Sequence, residues 1–117
     1  MAYGQERVLS MQRMSVKDFQ FLFDVTIPPF EACTGRGREP VTVKQRAQLH
    51  EAGLNTTGLK CKSQATAIIK TLNKRQEMGL CDVHAVLLIL ATGARPRTPY
   101  RIMTQKHALQ IISRKLY

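Results

Sequence analysis

Apolar residues fall along this chain in short groups with helical spacing, separated by glycines, prolines and polar turns. The clearest group is Ala65, Ile68, Ile69 and Leu72, at i, i+3, i+4 and i+7, one face of a helix packed on a core. Lys62, Lys70, Asn73 and Lys74 fall on its other faces. Upstream, Thr42-Val43-Lys44-Gln45 has the spacing of a capping box, and Ala47, Leu49 and Ala52 follow before Gly53 as a stop. Downstream, Gly79 ends the Ala65 helix and Asp82 is placed to cap a segment that is apolar almost all round and runs to Gly93. Thr104 is placed to cap a last helix carrying Ala108, Ile111 and Ile112. An all-round apolar helix belongs in the middle of something. Either the other helices surround it or part of it forms a dimer interface, and in a short chain the first is more economical.

Ahead of these helices, Ser15-Val16-Lys17-Asp18 also has capping-box spacing and predicts a helix of about two turns through Phe19, Leu22 and Phe23. Phe19, Phe21 and Phe23 alternate as well, which leaves a short strand open. Pro28-Pro29 then forces an extended stretch, and the glycines and proline of residues 33–40 predict a loop.

The helical part repeats its plan. Asp82, Ile89 and Gly93 each stand 40 residues after Thr42, Leu49 and Gly53, while Ala108, Ile111 and Ile112 stand 43 after Ala65, Ile68 and Ile69. The extra three residues fall in the loop, which is how structural repeats vary. The expected fold is all-α: a small bundle of two helix–loop–helix repeats over residues 41–117, preceded by a short N-terminal arm and linker over residues 1–40.

Composition adds a partner class. The chain has 117 residues, enough for one domain, and 44% hydrophobic content, enough for a core. It carries 18 Lys+Arg against 8 Asp+Glu, a net +10. Residues 1–35 contribute −1 and residues 36–117 contribute +11, with no acidic side chain after Asp82. A neutral half joined to a positive one is the charge pattern of a nucleic-acid-binding surface, its alternative being a solvated basic face that keeps the protein soluble. The apolar run of residues 83–91 is too short to span a bilayer. The start Met1-Ala2-Tyr3-Gly4-Gln5-Glu6-Arg7 lacks the pattern of a secretory signal. Cys33, Cys61 and Cys81, three at wide spacing, form no disulfide framework and fit a reducing compartment. Together these predict a soluble cytoplasmic protein with a polyanionic partner.

The stretch Leu49-x3-Gly53-Leu54-x3-Gly58-Leu59-Lys60-x4-Ala65-x2-Ile68-Ile69-x2-Leu72 resembles the helix–extended loop–helix motif of SAP-type DNA-binding domains. Residues 41–113, including Arg75-Gln76-Glu77-Met78-Gly79-Leu80, are also similar to a tandem module at the C-terminal ends of some bacterial and phage helicases and recombination proteins. Cys61 departs from the pattern, standing where such modules have Ser or Thr as a cap, and Asp82-Val83-His84-Ala85 replaces the Thr-x-Lys-Gln start in the second copy. The resemblance implies DNA binding accessory to DNA processing.

Independently of it, the second helix of each unit presents free amides at its N-terminus, where phosphate binds. Lys60, Lys62, Ser63 and Gln64 gather there in unit one, and Arg95, Arg97, Arg101, Gln105 and Lys106 in unit two. With no Trp and few aromatics, contact with a duplex backbone is favoured over stacking on single strands. Catalysis is not expected: acids are sparse, no phosphate-binding Gly-x4-Gly-Lys-Ser/Thr loop exists, and nothing local supplies a cysteine with both a His and an orienting partner. No cofactor is implied. Cys81-x2-His84 has half of a zinc spacing, completed only if Cys33, Cys61 or His50 came near, and a buried Cys81 is the plainer reading. A different class of function is protein docking through the arm, by Phe19, Phe21 and Phe23. A phage or mobile-element chain of this kind would regulate or inhibit a helicase, nuclease or defence complex. The plainer reading has the arm completing a thin core.

Overall fold

Four of the five helices described begin where a short polar side chain takes up a free amide of the first turn, and most end at a residue in the left-handed region. The computed structural model describes residues 13–116, so the reading of the extreme N-terminus lies outside the described residues. Helix α1 (Val16–Phe23) starts at Ser15, whose Oγ accepts from the Asp18 amide at 3.1 Å, and closes at Asp24 with φ +54°. Helix α2 (Val43–Glu51) has the reciprocal capping box: Thr42 Oγ1 accepts from the Gln45 amide at 3.0 Å, and Gln45 Oε1 accepts from the Thr42 amide at 3.2 Å. Helix α3 (Lys62–Glu77) ends in a Schellman pattern at Gly79, the Leu80 amide returning to the Arg75 carbonyl at 2.9 Å. Helix α4 (Val83–Thr92) is capped by Asp82, which accepts from the Ala85 amide at 2.8 Å. Helix α5 (Gln105–Leu116) is capped by Thr104, which accepts from the His107 amide at 3.1 Å. The fold is all-α, with two short 3-10 turns (Phe30–Ala32 and Gly35–Arg38) between α1 and α2. Among the described residues no helix is long and apolar enough to cross a membrane.

The phenylalanine pattern resolves as a helix, not a strand. Phe19 and Phe23, one turn apart, are buried with ring centroids 5.0 Å apart, while Phe21 on the opposite face is 83% exposed. What the sequence does not mark is a two-residue strand just before this helix. β1 (Met14–Ser15) lies parallel to β2 (Leu54–Asn55), with Met14 opposite Leu54, and the Met14 amide donates to the Gly53 carbonyl at 2.7 Å. Gly53 turns the chain out of α2 with φ +96°, and a side chain there would press on Val83 and His84. Met14, Phe19 and Phe23 thereby enter one core with Leu49, Leu54, Ile68, Val86, Ile89 and Met103. The chain divides by charge after residue 35, whereas packing runs across that point.

Helix α4 departs from its expected place in the middle. Val83, Ala85, Val86 and Ile89 are buried, but Leu88 and Leu90 stay 51% and 43% exposed. Five helices of 8–16 residues supply too little chain to enclose one of their number.

One side chain joins the segments that the helices leave separate. Arg75, near the end of α3, is buried, and its guanidinium donates to the carbonyls of Cys81 (3.0 Å), Tyr100 (2.9 Å) and Arg101 (2.9 Å) while lying 4.4 Å from the Phe23 ring centroid. Beside it the chain before α4 pairs with the chain before α5, Cys81 amide to Met103 carbonyl at 2.8 Å and Gln105 amide to Gly79 carbonyl at 2.9 Å. Replacing Arg75 with Met keeps the apolar stem and strands interior carbonyls. The expected loss is about 3 kcal/mol in urea unfolding, with Arg75→Lys intermediate because an ammonium lacks the planar fork. Wild-type stability in Arg75→Met would remove the guanidinium from this role.

Candidate nucleic-acid interface

Not every base in the positive half faces solvent. Arg75 is spent inside, and Arg46 is spent on the loop between α2 and α3, donating to the carbonyl and hydroxyl of Thr56 at 3.0 and 3.1 Å. Lys62 pairs with Glu39 at 2.6 Å, the one ion pair within 4 Å among the described residues. The remaining lysines and arginines there carry uncompensated charge.

The start of α3 is partly taken up by the chain itself. Cys61 gives the helix no side-chain cap hydrogen bond, but the first amide, that of Lys62, donates to the Glu39 carbonyl at 2.8 Å. Gln64 is used twice: its Oε1 accepts from the Lys60 amide at 2.8 Å and its Nε2 donates to the Pro28 carbonyl at 3.2 Å. The start of α5 is occupied in a similar way. Its first amide, that of Gln105, goes to the Gly79 carbonyl, the His107 amide goes to Thr104, and the Gln105 side chain binds both the amide and the carboxylate of Asp82. The chain folds back on both helix starts and takes up the first amide of each, with the His107 amide as well at α5.

What the fold creates instead is a groove along the flank of α3. The turn Gly35–Arg38 seats against the first turns of that helix, and Arg36, Gly37, Lys62, Ser63, Thr66 and Lys70 line an open cavity of about 440 Å³. Lys62, Thr66 and Lys70 are four residues apart and share a face by helical geometry. Of the residues singled out from sequence, Lys62 and Ser63 are here; Arg36, Thr66 and Lys70 were not among them. The i, i+4 spacing on α3 marks Thr66 and Lys70, but nothing local places Arg36 beside them. Gly37 permits the approach, since a Cβ there would overlap Ser63 Oγ.

In the second unit Arg95, Arg97, Arg101 and Lys106 are exposed. Arg101 lines a shallow depression of about 600 Å³ with Lys17, Phe21 and Pro99, whereas Arg95, Arg97 and Lys106 line neither hollow. Lys60 is exposed near the start of α3. Of the arm's docking candidates only Phe21 reaches the surface; Phe19 and Phe23 are core residues because an i, i+4 pair on an eight-residue helix faces one way.

The zinc constellation is pulled apart. Cys81 is buried, burial pushing its thiol up despite Arg75 beside it, and its sulfur lies 3.4 Å from an Arg75 nitrogen. His84 Nε2 is 2.8 Å from the Glu51 carbonyl, while Cys33 and Cys61 face each other. Among the described residues no three His, Cys, Asp or Glu side chains converge as a metal site would require.

Seating of the arginine–glycine turn is testable by a double-mutant cycle. Gly37→Ala should cost about 1–2 kcal/mol in denaturant unfolding by overpacking Ser63, and Ser63→Ala in the same chain should recover most of it. Simple additivity of the two would detach the turn from α3.

Comparison with known proteins finds no matching family model, no matching curated protein and no matching solved structure.

Proposed function

We propose that this chain is a non-enzymatic nucleic-acid-binding protein, duplex DNA being favoured, acting in the cytoplasm as an accessory to DNA processing. The observation that carries this reading is the convergence of Arg36, Lys62 and Lys70 with the hydroxyl-bearing Ser63 and Thr66 on one groove. That combination suits phosphate oxygens: cations supply attraction through counterion release, and hydroxyls supply short directional donors. The exposed Arg95, Arg97, Arg101 and Lys106 extend the positive surface, and the SAP-like pattern of residues 41–113 points the same way. Contact is made through the helix starts and the basic loops, side chains carrying more of it where the Lys62, Gln105 and His107 amides have partners of their own. Binding of this kind is sequence-tolerant and screened by salt.

The test is a salt titration against a random duplex. Affinity should fall steeply with salt, the log–log slope being about −0.9 per phosphate contacted. Arg36→Ala with Lys70→Ala, and separately Arg95→Ala with Arg97→Ala, should each flatten the slope by about 2. Absence of duplex binding at about 50 mM salt, a regime where such contacts are strong, would sink the reading.

A second reading, a regulator or inhibitor of a helicase, nuclease or defence complex by protein contact, is favoured by Phe21 alone. An aromatic ring 83% exposed beside Lys17, Pro99 and Arg101 suits an anchor residue. It predicts a complex that survives high salt and is lost in Phe21→Ala, with duplex affinity unchanged.

A further inference from the structure

Two cysteines 28 residues apart meet beneath the arginine–glycine turn. Cys33 lies between the two 3-10 turns of the arm and Cys61 immediately precedes α3; both are buried, and their sulfurs are 2.8 Å apart. Cys81 lies elsewhere, against Arg75 and the Tyr100 carbonyl. The spacing of the three in sequence carries no sign of this pairing. The contact exists because the turn seats on α3 and the Lys62 amide takes the Glu39 carbonyl. A buried cysteine that only fills space needs no sulfur partner, whereas two thiols in contact are set for coupled redox chemistry.

We propose that Cys33 and Cys61 are a redox pair that closes into a reversible disulfide, stapling the arm to the first turn of α3. Their surroundings divide the roles. At Cys61 burial opposes ionisation, yet the Cys33 thiol, the amides of Gln64 and Ser63 and the Arg38 guanidinium outweigh it and hold the thiol below its ordinary value. At Cys33 the contact with Cys61, together with burial, pushes the thiol up. Cys61 is therefore the thiolate that meets an oxidant, and Cys33 is the resolving thiol.

With hydrogen peroxide as oxidant, the Cys61 sulfur attacks one peroxide oxygen and the O–O bond breaks. The other oxygen leaves as water, and Cys61 becomes a sulfenic acid. The Cys33 sulfur then attacks the Cys61 sulfur: the S–S bond forms, the S–O bond breaks, and the departing hydroxide takes the Cys33 proton as a second water. Two thiols and one peroxide give one disulfide and two waters, the sulfurs losing the two electrons that the peroxide gains. Access comes from local opening of Gly35–Arg38, a four-residue 3-10 turn tied at its two ends by backbone hydrogen bonds of 3.1 Å, Gly37 amide to Thr34 carbonyl and Glu39 amide to Arg36 carbonyl. The proposal is independent of nucleic-acid binding.

The experiment uses the full, reduced chain, treated with hydrogen peroxide, then unfolded, alkylated with iodoacetamide and weighed intact. The expected product has lost two hydrogens, carries one alkyl group at Cys81, and yields a Cys33–Cys61 cross-linked peptide that dithiothreitol removes. Because the bridge closes a 28-residue loop, the oxidised chain should melt about 10 °C higher than the reduced one. Cys81→Ser should behave as wild type, and Cys61→Ser should lose the bridge. Three alkylated cysteines, a bridge that includes Cys81 or joins two chains, or oxidation that stops at sulfinic acid overturns the proposal. The wild-type mass decides it even where Cys61→Ser fails to fold.

Discussion

A buried guanidinium without a carboxylate holds this chain together. Arg75 lies among backbone carbonyls of Cys81, Tyr100 and Arg101 and over the face of Phe23. Burial lowers its pKa from the ordinary arginine value, the direction expected of a cation taken out of water. The cost is offset because a planar fork can serve several carbonyls at once, and a weakly hydrated cation tolerates an aromatic face. The segments it gathers are the arm helix, α3, the link into α4 and the loop into α5. It adds to the direct backbone pairing of the link into α4 with the loop into α5. The two helix–loop–helix units are thereby fastened at their backbones, and a core too thin to enclose α4 gains a second kind of cohesion.

The same arginine shows what a net charge conceals. Of the bases in the positive half, Arg46 and Arg75 are structural and Lys62 is paired, so the field that a partner meets comes from fewer charges than the sum implies. Those that remain are spread over α2, the flank of α3, the chain before α5 and α5 itself. Internal hydrogen bonding takes up part of the backbone donors at the helix ends, while cationic and hydroxyl side chains gather along one side of α3.

Local chemistry made most of the fold legible. Ser15, Thr42, Asp82 and Thr104 are caps because each bonds an amide three residues on, and that relation is written in adjacent residues. The core face of α3 follows from its period. Long-range juxtaposition was not legible. Nothing in the string separates Arg75 from the exposed Lys74 beside it, or marks Met14 as the partner of Leu54 across 40 positions. Gln64 and Gln105 read as free polar side chains and turn out to be clamps, since their partners, Pro28 and Asp82, stand 36 and 23 residues away. Arg36 reads as loop and becomes groove wall for the same reason.

The strand pair between Met14 and Leu54 has a consequence for the order in which the protein is made. The arm leaves the ribosome ahead of its backbone partner, which follows about forty residues later, and of the guanidinium under Phe23, about fifty later. That guanidinium in turn waits about twenty-five residues more for the carbonyls at Tyr100 and Arg101. Until then Phe19 and Phe23, both core residues of the folded chain, travel without the cover that the fold gives them.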